Sequence, residues 1–414
     1  MQPRRFPIGF WNSEKSWNGF ETKVEEWIDL GFTMVMTPPF DPAIPEERAA
    51  VGRLLELARE HDFQLILKDR RAEAPSSPWG NSAESRPLPK SYAKGARAAV
   101  SEYEGHPSVW GLYVVDEPLV GNLPAVAEAC KAIRKAGKRL HPYVNLLPNH
   151  AVWGGEHIGG QVGFQDFNEY LDHYLETTGD EMLCFDCYCQ ASEEWGGRDR
   201  YFLNLAQYQA AALRHNVPFW LITLAAGHWM YKAPTELELL WEFNTALAYG
   251  AQGLLYFIYR VRPGGGDTFY GAPVDELGQR GPLYQQMKRQ HRCFQRCWEE
   301  RFRKLRPTLT THYPQAPAGV KPFKGEGVAK RILFAAGVSE LIIGEFADDQ
   351  GRPHVMVVNN SAERHVAVTV SCAGRAAFRL GEQGELLERE STAGTVDIGG
   401  ILLPAAALLY RIEP

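Results

Sequence analysis

The sequence lacks three features that would assign it to a particular class of protein. No apolar run reaches the roughly 18 residues of a membrane-spanning helix, so we expect no membrane partner. Basic residues are not in excess, because the net charge is -6, and we therefore expect no nucleic-acid partner. The amino terminus carries no apolar stretch typical of a signal peptide, which leads us to expect a cytoplasmic protein.

Cysteine is also scarce, with seven residues in a chain of 414. The number is odd, and a chain of this length folds without needing disulfides. Cys184, Cys187 and Cys189 are close enough in sequence to suggest a metal site. A strand would place Cys187 and Cys189 on one face and Cys184 on the other, so the three do not converge as ligands. We predict reduced thiols, no metal site and no cofactor.

The most informative stretch that is present is residues 109–118, VWGLYVVDEP, an apolar run that ends in two carboxylates and a proline. A run without polar alternation is typical of a strand covered on both faces, and Pro118 must end it because proline has no backbone N–H. Asp116 and Glu117 are therefore predicted to lie at the carboxyl end of a strand, where parallel α/β proteins carry their functional groups.

The pattern of apolar run, polar loop and amphipathic helix occurs eight times in residues 1–307. Capping signals mark two helix starts, Asn18 with Glu21 and Thr235 with Glu238. Because right-handed crossovers build a parallel sheet that closes at eight strands, we predict an α/β fold, a (β/α)8 TIM barrel. A doubly wound open sheet is less favoured, since no glycine-rich phosphate loop follows the first strand. The expected strands are residues 8–11, 32–36, 64–67, 109–118, 141–146, 182–188, 218–224 and 253–259.

The pattern changes after residue 307. Residues 308–338 are predicted to be a linker, and residues 339–414 contain short β-rich segments separated by turn residues. These segments predict a C-terminal antiparallel β-sandwich that packs against the barrel. No residue of the sandwich is expected to be catalytic.

In a TIM barrel the functional groups lie at the carboxyl ends of the strands. The residues expected there are acids, amides and aromatics with one or two bases, which suit a polyhydroxylated carbohydrate better than a phosphate. We therefore predict a carbohydrate substrate. The predicted substrate-binding residues are Asn12, Lys68, Asp116, Asn145, Tyr188, His228, Trp229 and Tyr259.

The reaction that such groups favour is hydrolysis of a glycosidic bond. It needs one carboxylic acid to protonate the leaving oxygen and a second carboxylate to act as nucleophile or base. Glu117 is expected to be the acid, since an enclosed site and the neighbouring Asp116 should keep it protonated. The alternative is that Glu117 only forms an ion pair with a basic residue at the barrel rim.

A barrel whose fourth strand ends in Asp-Glu-Pro resembles the clan-A glycoside hydrolases, which carry an Asn/Asp-Glu-Pro element at this place. The run ALAYGAQGLLYFIYR, which ends at Arg260, is similar to a Gly-Ala-x-Gly…Phe run in β-galactosidase-like members, and a C-terminal β-sandwich is common among them. The resemblance implies that Glu117 is the acid/base.

The sequence departs from the clan at the seventh strand. Clan-A enzymes carry their nucleophile, a second Glu, at the end of that strand, whereas residues 218–229, PFWLITLAAGHW, contain no carboxylate. Asp186 is the favoured second carboxylate. A pair from the fourth and sixth strands is similar to retaining α-galactosidase-like barrels, whose nucleophile is a fourth-strand aspartate, here Asp116. Asp186 has an equally supported alternative as a buried acid that holds Tyr188 or a backbone amide; further candidate partners are Glu14, Asp69 and Glu73.

The predicted function is that of a glycoside hydrolase with Glu117 and Asp186 as catalytic residues. A catalytically silent carbohydrate-binding TIM barrel is the alternative, favoured by the acid-free seventh strand. A third hypothesis is an aldolase, because a lysine at a barrel strand end, here Lys68, is able to form a Schiff base. Most such lysines pair with a neighbouring acid instead.

Overall fold

The computed structural model describes residues 2–17, 19–74, 87–149, 164, 166–190, 197–229, 231–262, 264, 268–336 and 340–414. In these residues eight parallel strands form one sheet in which the first strand pairs with the second and the eighth. The fifth and sixth strands meet through a bridge between Leu146 and Phe185. The sheet therefore closes into the predicted TIM barrel. Its strands are Ile8–Phe10, Met34–Met36, Gln64–Leu67, Val109–Asp116, His141–Asn145, Leu183–Asp186, Phe219–Leu224 and Leu254–Phe257.

Helices follow the strands and cover the outside of the barrel with their apolar faces. The predicted capping box is confirmed: Thr235 Oγ1 accepts from Glu238 N–H at 3.2 Å, and Glu238 Oε2 accepts from Thr235 N–H at 2.8 Å. The predicted cap Asn18 lies outside the described residues. The helices are Phe20–Leu30, Pro45–Glu60, Tyr92–Tyr103, Leu123–Ala136, Phe167–Thr178, Gly197–His215, Glu236–Ala248, Pro282–Cys297 and Glu299–Phe302, with a 3-10 turn at Val120–Asn122.

The amino-terminal half of the barrel interior is filled by buried rings. Trp110 stacks on Trp220 at 4.7 Å between ring centroids and on His141 at the same distance. Each of these three residues is the first or second residue of its strand. Functional groups that face the barrel axis are therefore left to the carboxyl ends of the strands. No helix in the described part of the chain is both long enough and apolar enough to cross a membrane.

The C-terminal region is a sandwich of two antiparallel sheets, as predicted. The six-stranded sheet contains Arg306–Tyr313, Leu341–Ala347, Pro353–Asn359, Ala407–Glu413, Ala376–Gly381 and Gly384–Glu390. The three-stranded sheet contains Ala329–Ala335, Val366–Ala373 and Thr395–Leu402.

The structure departs from the expected linker over residues 308–338, because this range contains most of the strand Arg306–Tyr313 and all of the strand Ala329–Ala335. The first is hidden in the sequence because its buried residues are polar. Its Thr310 accepts from Gln209 Nε2 at 2.9 Å, and His312 Nε2 lies 2.8 Å from Tyr249 Oη. The second strand is largely exposed, so it lacks an apolar alternation.

The sandwich packs directly on the barrel helix Glu236–Ala248. Trp241 Nε1 donates to Asn360 Oδ1 of the sandwich at 2.8 Å. The backbone approach is close at Gly344, where a Cβ atom would lie 2.4 Å from Ala248 O. Only glycine fits there without moving one of the two units.

Candidate active site

Four of the predicted residues converge at the carboxyl ends of three neighbouring barrel strands. Asn145 Nδ2 donates to Asp116 Oδ1 at 3.0 Å and to Asp186 Oδ1 at 2.8 Å. Glu117 is tied to the same amide residue, because its N–H donates to Asn145 O at 2.8 Å. We call Asp116, Glu117, Asn145 and Asp186 the mouth cluster.

The backbone of Glu117 is strained in a way that serves this arrangement. Its φ is 44°, a left-handed conformation that is unfavourable for a residue with a Cβ atom. Pro118 follows directly, and a residue before proline prefers an extended conformation. The surrounding contacts must therefore hold Glu117 in place, and its carboxyl group forms a hydrogen bond with that of Asp186.

A hydrogen bond between two carboxyl groups requires a shared proton. Burial, and after it the charges of Asp186 and Asp116, raise the pKa of Glu117 well above its usual range. Burial also raises the pKa of Asp186, but hydrogen bonds from Asn145, Glu117 and Tyr188 oppose the rise. The shared proton is therefore held mainly by Glu117, and Asp186 accepts from it.

Asp116 is the third carboxyl group of the mouth cluster. Burial raises its pKa to about 7, the charge of Asp186 adds to the rise, and the Asn145 hydrogen bond and Lys68 oppose it. The mouth cluster thus concentrates acids that stay protonated at a higher pH than free carboxyl groups. Such perturbed groups in a barrel mouth are typical of sites for acid–base chemistry.

Lys68, at the end of the third strand, lies beside this cluster. Its Nζ atom is 4.9 Å from the ring centroid of Trp11 and 4.8 Å from that of Tyr113. Burial lowers the pKa of Lys68, while the charges of Glu73 and Asp116 oppose this effect. Burial raises the pKa of Glu73, which Lys68 opposes.

Tyr188 completes the side of the cluster next to Asp186, to which it is hydrogen bonded. Arg200 Nη2 donates to Tyr188 O at 3.0 Å. The Tyr188 ring packs edge-on against Tyr231, at 5.3 Å between centroids, and parallel to Phe257. Tyr188 is thus fixed by its backbone and by two ring contacts, and its hydroxyl group is hydrogen bonded to Asp186.

His228 and Trp229 form an aromatic shelf beyond the seventh strand. The His228 ring lies between Phe269, at 4.4 Å, and Trp229, at 4.5 Å, with nearly parallel planes. Two short antiparallel strands, Gly227–His228 and Phe269–Tyr270, hold this stack. Trp229 is 61% exposed, and burial lowers the pKa of His228. A flat exposed ring of this kind suits stacking on the apolar face of a sugar.

The structure does not bring Asn12 or Tyr259 into contact with the mouth cluster. Tyr259 is 3% exposed, and its hydroxyl accepts from Trp27 Nε1 at 2.6 Å. Asn12 is 4% exposed, and its Oδ1 accepts from the backbone N–H of Glu14 at 3.0 Å. Both side chains hold the loops after the eighth and first strands.

The other acids considered as partners for Glu117 are engaged elsewhere, with one exception. Asp69 is fully buried and 2.6 Å from Arg71, and Glu14 is 2.8 Å from Lys23. Glu73 is the exception, because it forms no ion pair closer than 4.0 Å among the described residues. No carboxylate occurs in Phe219–Leu224 or in the residues that follow to Trp229.

Sequence reasoning missed two residues near the site, Tyr113 and Glu242. Strict alternation would place Tyr113 and Asp116 on opposite faces of the fourth strand, but the register shifts between Tyr113 and Val115. Glu242 is fully buried on a helix and accepts from Cys189 Sγ at 3.1 Å and from Gln190 Nε2. Burial raises its pKa to about 8. Its signal was a lone acid within an apolar helix, LLWEFNTALA.

The chain matches no protein-family model and no curated protein. Among solved structures it is similar to a family 42 β-galactosidase from G. stearothermophilus, solved as a catalytic mutant, with a TM-score of 0.63 and 10% identity over 100% of this chain and 99% of that one. It is also similar to a family 39 glycoside hydrolase from Bacteroides cellulosilyticus, with a TM-score of 0.52 and 11% identity over 99% of this chain and 81% of the other.

A β-galactosidase from Rahnella aligns with a TM-score of 0.51 and 12% identity over 70% of this chain and 55% of its own length. The chain thus spans about half of that enzyme. These likenesses support the fold, which is the TIM barrel with a C-terminal β-sandwich. The structural neighbours are glycoside hydrolases.

Proposed function

We propose that this protein hydrolyses glycosidic bonds and that Glu117 is its general acid. The observation that carries the proposal is the hydrogen-bonded pair of carboxyl groups, Glu117 and Asp186, at the carboxyl ends of the fourth and sixth barrel strands. The glycoside hydrolases among the structural neighbours support the same reaction class.

Glu117 fits the acid role because its raised pKa keeps a proton available at neutral pH. In the proposed reaction the bridging oxygen of the substrate replaces Asp186 as the acceptor of this proton. The carbon–oxygen bond then breaks as the leaving sugar takes up the proton. Asp186, released from the hydrogen bond, is the second carboxylate that stabilises or attacks the positively charged sugar carbon, or activates water.

The contact between the two carboxyl groups sets a condition on this mechanism. Retaining glycosidases separate their carboxyl groups by about 5–5.5 Å and inverting ones by about 6.5–9.5 Å. A direct hydrogen bond is shorter than either separation, so Glu117 and Asp186 must move apart when a sugar enters. The strained backbone of Glu117 is a point from which such a movement would start.

The proposed sugar subsites lie around this pair. Lys68 offers hydrogen-bond donors to sugar hydroxyl groups, Asn145 Oδ1 offers an acceptor that has no partner in the described part of the chain, and Trp229 on the aromatic shelf offers a ring for stacking. Asp116 remains a second candidate for the nucleophile, because its carboxyl group lies on the opposite side of Asn145 from Asp186 in the hydrogen-bond network.

Replacement of Glu117 by Gln tests the proposal. We expect E117Q to lose about 10²–10⁴ in turnover of aryl glycosides and oligosaccharides that the wild type cleaves. D186N should lose activity while the fold, measured by circular dichroism, is kept. E363Q, on the exposed surface of the sandwich, is the matched control and should behave as wild type. Full activity in E117Q would refute the assignment.

The alternative is a catalytically silent carbohydrate-binding barrel. It is favoured by one observation, which is that residues 218–229 contain no carboxylate. Calorimetric binding measured beside turnover for the same glycosides separates the two functions. Binding of a sugar by the wild type without any turnover, and with the same affinity in E117Q, would support the silent barrel.

A further inference from the structure

The amine of Lys68 differs from the amines of two other barrel lysines, Lys23 and Lys288, which form ion pairs with carboxylates. Lys23 Nζ is 2.8 Å from Glu14 Oε1, and Lys288 Nζ is 2.5 Å from Asp29 Oδ1. Lys68 Nζ has no carboxylate oxygen within 4.0 Å in the described part of the chain. Its Nζ atom lies instead over the rings of Trp11 and Tyr113.

Two opposing effects act on the charge of Lys68. Aromatic faces stabilise an ammonium ion, and the carboxyl groups of Glu73 and Asp116 act in the same direction. Burial acts against the ion and is the larger effect, because the net result is a lowered pKa. Tyr113 is the other titratable group that faces Lys68, and burial raises its pKa well above its usual range, so it stays neutral.

The place of Lys68 makes this amine chemically useful. It follows the third strand, at the same end of the barrel as Asp116. An amine with a lowered pKa and no ion-pair partner in the described part of the chain, near a carboxyl group that can give a proton, suits carbonyl chemistry.

We propose that Lys68 is a nucleophile that forms a Schiff base with the carbonyl group of a small hydroxyaldehyde or an open-chain sugar. This reactivity goes beyond glycoside hydrolysis and does not depend on it. The amine nitrogen forms a bond to the carbonyl carbon, the carbonyl oxygen becomes a hydroxyl by taking the proton that the nitrogen releases, and a further proton from Asp116 lets this hydroxyl leave as water. The product is an iminium ion, paired with the carboxylate that Asp116 then carries.

Reductive trapping tests this proposal on the full chain without any glycoside present. Glyceraldehyde and sodium cyanoborohydride are added at pH 7; hydride reduces the iminium carbon and fixes the adduct as a secondary amine, which peptide mass spectrometry locates. Because its pKa is lowered, Lys68 carries more neutral amine at pH 7 than an ordinary lysine does. We therefore expect the adduct to form several-fold faster on Lys68 than on Lys288.

Two variants and a pH series make the result decisive. K68R should lose the adduct at this position, and K288R, the matched control, should keep it. In the wild type, the trapping rate at Lys68 should reach half its maximum at a lower pH than the rate at Lys288. Equal rates at the two lysines, or equal pH midpoints, would overturn the proposal, and neither result would bear on the hydrolysis of glycosides.

Discussion

Two aspartates at opposite ends of the sixth barrel strand occupy similarly buried places with opposite electrostatics. Asp186 ends the strand in the mouth cluster, and Asp180 lies before its start, where we call Asp180, His141, Arg134 and Tyr174 the floor cluster. Asp180 Oδ1 is 3.2 Å from both His141 Nε2 and Arg134 Nη2, and its Oδ2 accepts from Tyr174 Oη at 2.5 Å. Among the described residues, no Lys, Arg or His nitrogen forms an ion pair with Asp186 within 4.0 Å.

The partners decide the ionisation of each acid. Burial alone would raise the pKa of Asp180, but His141, Arg134 and Tyr174 lower it below its usual value. Burial raises the pKa of Asp186, and the main effects that oppose it are hydrogen bonds from the neutral groups of Asn145, Glu117 and Tyr188. A carboxylate paired with cations contributes to stability, whereas one that shares a proton with Glu117 is held ready for chemistry. Burial is therefore common to Asp180 and Asp186, and the cations beside Asp180 distinguish the two aspartates.

Removal of Asp180 should have the largest effect on stability. D180A removes the carboxylate that pairs with Arg134 and His141 and leaves both beside a buried cavity. Breaking a buried ion pair in this way costs about 3–5 kcal/mol in the free energy of unfolding. Urea denaturation followed by fluorescence measures the loss. D349A, an exposed aspartate of the sandwich, should change stability by less than about 0.5 kcal/mol. If D180A were as stable as D349A, the floor cluster would have no structural role.

The pH dependence of stability should have opposite signs at the two ends. Asp116 keeps its proton in the folded state up to about pH 7, whereas the unfolded chain releases it near pH 4. Its contribution therefore reduces stability as the pH rises from about 4 to 7. Asp180, with a lowered pKa, contributes stability above about pH 4 that is lost as the pH falls below this value.

The matched variant D116N should show this difference. After allowance for its partial exposure, we expect D116N to gain about 1–2 kcal/mol relative to wild type between pH 4 and 7, and no more above that range. Denaturation midpoints measured at pH 4.5, 6 and 8 give the trend. A gain that shrinks as the pH rises would contradict the raised pKa of Asp116.

Tyr188 should affect the activity of the mouth cluster more than its stability. Y188F removes the hydroxyl that donates to Asp186, so the pKa of Asp186 should rise further. We expect kcat/KM to fall about tenfold, the equivalent of about 1.4 kcal/mol, and its acidic limb to move to higher pH. The pH profile of kcat/KM tests this expectation. Y270F, at an exposed tyrosine of the neighbouring hairpin, should leave the profile unchanged.

The comparison of the two ends also separates what the sequence predicts from what it does not. Asp116, Glu117, Asn145 and Asp186 could be predicted because buried parallel strands are continuous apolar runs, and polar residues at their carboxyl ends must meet. Nothing local in the sequence indicates that Glu117 and Asp186 share a proton, because this depends on a left-handed backbone at Glu117.

The floor cluster and the first sandwich strand were not predicted for a related reason. Asp180, Arg134 and Tyr174 are far apart in sequence or lie in loops and helix faces, and only packing brings them to His141. Thr310 in the strand Arg306–Tyr313 is buried through hydrogen bonds to the barrel. Hydrophobic periodicity detects apolar burial, so it does not detect polar groups that are buried with their partners.

Trp229 should give the smallest effect, confined to binding at the mouth. Its ring is 61% exposed and stacks on His228, and an exposed indole ring is a surface on which a sugar would stack. We expect W229A to raise KM by roughly two- to fivefold, about 0.5–1 kcal/mol, with kcat unchanged. Stability should change by less than about 0.5 kcal/mol. L386A, at an exposed leucine of the sandwich, controls for loss of an exposed apolar side chain. A fall in kcat with KM unchanged would mean that the aromatic shelf positions the mouth cluster instead of binding substrate.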